Sequence, residues 1–278
     1  MRLVWQLLAV ATVAFIGGRL LTLVDGKPWL TLLVGVLTAL SAVPVYRWVV
    51  RRTENRPATD LASGGAWGAM GRGVLIGAAA ITAVIAHIAI QADYSIDGWG
   101  SLEGAIAVFG FMAAVAVTEE LLFRGVLFRI AEERLGTWAA LISTSLLFGS
   151  MHLFNENATL WGAFAITIAG GGMLTAAYVA TRSLWVPIGL HFGWNFAQSG
   201  IFGNAGSGNA ATHGLLETST SGSTWVTGGV FGPEASVYTV LLGVLVTAAF
   251  MWLAQRRGHV MPGRGRAGRA SVPATLAR

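Results

Sequence analysis

Long apolar runs separated by short polar or charged junctions dominate the chain. Eight runs are long enough to cross a bilayer, at about 3–24, 29–50, 73–92, 103–128, 137–154, 160–180, 184–201 and 236–254. The pattern predicts an all-α, polytopic integral membrane protein of about eight transmembrane helices, folded as one domain over residues 1–254. The first run is too long for the core of a signal peptide, and no small-residue cleavage site follows it. It reads as a retained helix.

Two stretches depart from the plan. Residues 200–235 are rich in Gly, Ser, Thr and Asn and lack Lys and Arg. They read as a flexible outer loop, with a lid or re-entrant segment as the alternative suggested by Trp225 and Phe231. Residues 255–278 are Arg-, Gly-, Ala- and Pro-rich and read as a disordered basic cytoplasmic tail that touches anionic lipid.

Composition agrees with the membrane class: 54% of residues are hydrophobic, 11% are charged, and the mean hydropathy is +0.64. A pI near 10.4 raises nucleic acid as a partner, but the basic residues sit at the ends of the apolar runs, as topology signals do. With the N-terminus inside, all of them except Arg19 and Lys27 fall on the inner side. That asymmetry predicts an even number of spans with both termini cytoplasmic. The Gly-, Ala- and Arg-rich, Lys-poor usage suggests a GC-rich bacterial genome and a bacterial cell membrane. The chain has no cysteine, which excludes thiol nucleophiles, disulfides, cysteine–zinc sites and cysteine lipidation.

Against this apolar background three polar motifs stand out. Glu119-Glu120-Leu121-Leu122-Phe123-Arg124 lies in the fourth run, Phe148…His152 in the fifth and His191…Asn195 in the seventh. Glu120 and Arg124 share a helical face and are expected to pair. Glu119 lies about 100° around the helix and lacks that partner, so it is the candidate general base or acid. The alternatives are a helix-end ion pair at the cytoplasmic interface beside Arg129, Glu132, Glu133 and Arg134, a hydrogen-bonded core histidine at 152, and an Asn195 that joins helices. Run lengths suggest that Glu119, His152, His191 and Asn195 meet in the inner half of the bilayer, with His152 the deepest of them. No membrane-embedded Asp pair and no His-Glu-x-x-His motif occurs, and Ser207 lies in the polar loop rather than beside a matching histidine.

In these three motifs the chain resembles the CAAX-processing endopeptidase and bacteriocin-immunity family, also called Abi or CPBP, of glutamate intramembrane proteases. The resemblance covers about residues 103–201 in order. It implies a bundled, conical catalytic core from the fourth to seventh helices and an endopeptidase acting on a membrane-associated, CAAX-like or lipid-modified protein or peptide. It implies that Glu119 activates a water with help from His152, and that His191 and Asn195 stabilise the oxyanion. Glu120, Arg124 and Phe148 would organise the site. It implies no cofactor; a zinc version is the less favoured alternative. Two other readings remain open at this point, a non-proteolytic immunity or scaffold protein of the same fold and a proton-coupled transporter. No inverted repeat speaks for the transporter.

Overall fold

The computed structural model describes residues 1–210 and 213–263. Eight long helices form the body: α1 (Arg2–Leu23), α2 (Pro28–Glu54), α3 (Ala66–Gln91), α4 (Leu102–Leu135), α5 (Thr137–Phe154), α6 (Leu160–Thr181), α7 (Trp185–Asn195) and α8 (Val237–Arg256). All except α7 are long and apolar enough to cross a membrane. A wide π turn over Phe196–Ile201 prolongs α7. The chain is thus a mostly helical polytopic membrane protein, with the helices where the apolar runs predict them.

Three departures matter. First, the fold is not purely helical. Asp93–Trp99 (β1) pairs antiparallel with Leu216–Ser221 (β2), with Asp93 opposite Ser221 and Trp99 opposite Leu216. Second, α4 does not end near residue 128 but continues to Leu135, 34 residues in all. The charged end stays helical because its charges are paired. Arg129 grips Glu54 through both guanidinium nitrogens at 2.9 and 2.8 Å and also donates to Gln6 at 2.8 Å. Arg182 donates to Glu132 at 2.9 Å. Third, the expected disorder from residue 255 does not hold for residues 255–263. Arg257 donates to the Ala180 carbonyl at 3.0 Å, His259 Nδ1 lies 3.1 Å from the Val179 carbonyl, and Met261 donates its N–H to Thr137 Oγ1 at 2.8 Å while its carbonyl accepts from the Thr137 N–H at 3.0 Å. His259 is therefore part of a strap over the basic end, not a solvated side chain. The tail expectation for 264–278 lies outside the described residues.

The Gly-rich segment after α7 is folded rather than loose. Its strand joins β1, Phe231 is buried against Phe148 and Ile166, and Trp161 donates to the Ala235 carbonyl at 2.6 Å. Short polar side chains gave no periodic signal here. The order comes from backbone pairing and two aromatic anchors.

Helix α7 is held in place by direct backbone contact with α3. Gly73 and Gly77 on α3 face Gly189 and Gly193 on α7. A Cβ at Gly77 would lie 2.1 Å from the Leu190 carbonyl oxygen, and one at Gly193 would lie 2.2 Å from that of Val74. Both spacings are glycine–three residues–glycine, which lets helices approach closely inside a membrane. The α7 pair brackets His191, so this contact sets the height and rotation of that imidazole.

Gly77→Val should force the two helices apart and cost at least about 1–3 kcal/mol, whereas Gly71→Val, which faces open space, should be nearly neutral. Thermal unfolding in detergent, followed by the loss of the monodisperse peak, separates the two.

Candidate active site

The site is assembled around one buried ion pair. Glu120 is fully buried and Arg124 is 1% exposed. Arg124 Nη1 donates to Glu120 Oε1 at 2.7 Å, and His191 Nδ1 lies 2.9 Å from the same oxygen. The guanidinium also donates to the Gly170 and Gly171 carbonyls and to Thr175 Oγ1, and lies 4.7 Å above the Phe148 ring. Those glycines belong to a π turn over Thr167–Met173. Such wide turns free carbonyls from the helical ladder. A second wide turn, Leu121–Phe128, carries Arg124 itself. Glu120 and Arg124 are not at a helix end: Glu120 lies roughly 22–27 Å of helix from either end of α4, and Arg124 roughly 16 Å from Leu135.

The other motif residues gather beside this pair. Glu119 is about one-third exposed, and its Oε2 lies 4.0 Å from His191 Nε2. His191 therefore stands between the two carboxylates, with Nδ1 turned to Glu120 and Nε2 to Glu119. His152 lies where the last turn of α5 tightens into Leu153–Phe154. Its Nδ1 is 2.9 Å from the Phe148 carbonyl. A carbonyl only accepts, so Nδ1 carries the proton and Nε2 of a neutral ring is left as an acceptor. The Phe148 ring packs 4.9 Å from His152 and 6.3 Å from His191, spacing the two imidazoles. Glu119, His152, His191 and Asn195 all line one cavity of about 340 Å³. Every residue of the three motifs is thus brought together.

Residues 101–197 match the family model of the Rce1-like type II CAAX prenyl endopeptidases. The matched stretch runs from the start of α4 into the end of α7 and contains all seven motif residues. It is the same CAAX-protease family that the motifs resemble, and it supports a protease at the general level. No curated protein and no solved structure matches the chain.

Two parts of the site were not legible beforehand. Glu234, placed in an outer loop by the run pattern, is 4% exposed and lies against the site. It accepts from Trp194 Nε1 at 3.1 Å, Gln198 Nε2 at 3.3 Å, Ser207 Oγ at 2.9 Å and the Ser207 backbone N–H. It also borders a small recess behind His191. The available signal was an acid directly after Pro233 in the stretch 200–235, which has no Lys or Arg. Ser207 is the second surprise, because it lines the cavity. Its hydroxyl donates to Glu234, and no imidazole bonds to it among the described residues, so it is a wall residue rather than an activated nucleophile. Among the described residues no three His, Asp or Glu side chains stand together as a metal site.

Arg124→Met leaves the Glu120 charge buried without its partner and should cost about 3–5 kcal/mol. Adding Glu120→Gln should recover much of that loss, a coupling read from a double-mutant cycle on thermal stability. Glu234→Ala removes the acceptor of four donors and should cost about 1–3 kcal/mol, with faster nicking of 202–236 by a broad-specificity protease. Glu234→Gln keeps an acceptor and should lose less.

Proposed function

We propose that the protein is an intramembrane endopeptidase in which Glu119 activates a water to hydrolyse a peptide bond of a membrane-associated substrate. The observation that carries this reading is the position of His191 between the two carboxylates, in a cavity that Glu119, His152 and Asn195 also line. Glu119 is the less buried carboxylate and has no guanidinium partner, so it is the one free to take a proton.

The chemistry divides among these residues as follows. The water oxygen attacks the scissile carbonyl carbon while its proton passes to Glu119, and His152 Nε2 orients the water as a second acceptor. The tetrahedral oxyanion is met by the Asn195 amide and by His191 Nε2. For Nε2 to donate, the ring must carry both protons, and Glu119 and Glu120 are then its counter-charges. Collapse breaks the C–N bond, and the proton held on Glu119 goes to the leaving amine. Fixed donors in a water-poor site are worth far more than the same groups in solution. Glu120, Arg124 and Phe148 hold the imidazoles and do not touch substrate. The reaction needs no cofactor in this scheme.

The charge asymmetry supports both termini being cytoplasmic and a basic tail that meets anionic lipid, and the Gly-, Ala- and Arg-rich usage supports a bacterial cell membrane. The partner is a membrane protein or peptide, and nucleic acid has no role.

In liposomes with membrane-anchored peptide libraries, Glu119→Gln should lower kcat by about 10²–10⁴-fold. Asn195→Ala should lower it by about 10²–10³-fold with little change in KM. Both variants should keep the wild-type melting temperature within a few degrees. Full turnover by a folded Glu119→Gln protein, or turnover abolished by chelator and restored by zinc, would refute this mechanism.

A further inference from the structure

A short turn between α2 and α3 reaches both helices that carry the acidic and imidazole motifs. The turn is Thr59–Leu61, and its Asp60 is 5% exposed. Asp60 Oδ2 lies 2.6 Å from the hydroxyl of Tyr46, a fully buried residue of α2. The same hydroxyl lies 3.0 Å from the Gly125 carbonyl. It stands between two acceptors and can give its one proton to either. Through Tyr46 the turn thus meets the wide turn of α4 that carries Arg124. Its main chain meets α7. The Asp60 carbonyl accepts the Leu184 N–H at 2.8 Å, and the Ala62 carbonyl accepts from Trp185 Nε1 at 2.9 Å. Leu184 and Trp185 open the helix of His191 and Asn195.

The wide turn in α4 is where such a hold matters. In a regular helix the Arg129 N–H would bond to the Gly125 carbonyl. Here it reaches the Arg124 and Val126 carbonyls instead. The Gly125 oxygen is met by side chains, the Tyr46 hydroxyl and Arg129 Nε at 2.8 Å. The fit is close, because a Cβ at Gly125 would lie 2.8 Å from the Tyr46 ring. One residue earlier, Arg124 bonds to Glu120, and Glu120 meets His191. A line of contacts therefore runs from Asp60 through Tyr46, the wide turn, Arg124 and Glu120 to the imidazole. It returns along α7 to Leu184 and back to Asp60.

We propose that Tyr46 and Asp60 are positioning residues for the reaction. Together they clamp α4 against α7 and so set Glu119, Glu120 and Arg124 against His191. Neither lines the cavity, and both lie outside residues 101–197, the stretch that matches the family model. Their effect on turnover rests on the peptidase reading above; their effect on the placement of His191 does not. A displacement of about 1 Å, produced far from the reacting atoms, is enough to cost an enzyme about 10²-fold.

Tyr46→Phe keeps the ring and removes the hydroxyl. In the liposome assay it should lower kcat by about 10–10²-fold with KM within about twofold of wild type, as displaced groups do and lost binding does not. Val10→Ala truncates the same core cluster without touching the clamp. It should lose stability and keep kcat within about twofold. Asp60→Ala should act like Tyr46→Phe. Asp60→Asn still offers Tyr46 an acceptor and should bring kcat back to within about threefold of wild type. The Asp60 pair decides the outcome if Tyr46→Phe does not fold. Wild-type kcat in Tyr46→Phe or Asp60→Ala, an equal loss in Val10→Ala, or an Asp60→Asn no better than Asp60→Ala overturns the proposal. A second measurement needs no turnover. In nitrogen-15 histidine spectra of the full chain in detergent, His191 is assigned by its absence from His191→Gln. Tyr46→Phe should shift the His191 signals and leave those of His87 and His213 in place. Unmoved His191 signals overturn the proposal. A shifted His191 with no cleavage even by wild type upholds the clamp and refutes the peptidase reading instead.

Discussion

The Glu120–Arg124 pair is the contact on which the site depends. A carboxylate and a guanidinium so deeply buried are tolerated because they pair and share further hydrogen bonds. Here the guanidinium spends its N–H groups on Glu120, on two glycine carbonyls and on Thr175, while Glu120 Oε1 meets both Arg124 and His191 and Glu120 Oε2 is buried without a hydrogen-bond partner. Three helices, α4, α6 and α7, are thereby tied at one point. The same tie turns the free edge of His191 toward Glu119. Structural and chemical roles are thus split between adjacent glutamates by geometry alone, since successive helical positions point about 100° apart.

The scaffold around that point uses backbone irregularity and small residues instead of bulk. Wide turns interrupt α4, α6 and α7 close to the motif residues. The turn in α6 exposes the carbonyls that hold Arg124. Glycine contacts let α3 press directly on α7, so the helix that carries His191 and Asn195 is fixed from behind by rigid backbone. In a bilayer, where apolar side chains gain little by leaving lipid, such close packing and internal hydrogen bonding carry the association.

The segment after α7 completes the enclosure. Glu234 accepts from Trp194 and Gln198 on the α7 side and from Ser207 in the cavity wall. It fastens the roof to the same helix that presents the candidate catalytic groups. The site lies near the middle of α4, under a roof from the segment after α7. Run length put the end of α4 too early, because α4 continues beyond its apolar part through paired charges, whereas α7 begins where its run does, with the Leu184 N–H on the Asp60 carbonyl.

The sequence by itself determined the helical membrane class, the order of the helices and the seven motif residues. Apolar run length and the scarcity of charge are one-dimensional signals, and an acid, imidazole or carboxamide in such a run is visible without coordinates. It also carried the glycine spacings of Gly73–Gly77 and Gly189–Gly193. Only the tertiary structure decided which carboxylate faces the cavity, which nitrogen of each histidine is free, and that Glu234 and Ser207 belong to the site. Those depend on contacts between segments tens to over a hundred residues apart, and no local pattern encodes them. The Gly- and Ser-rich roof was the least legible part, because its order comes from backbone pairing with β1 and from buried Phe231, and neither leaves a periodic trace.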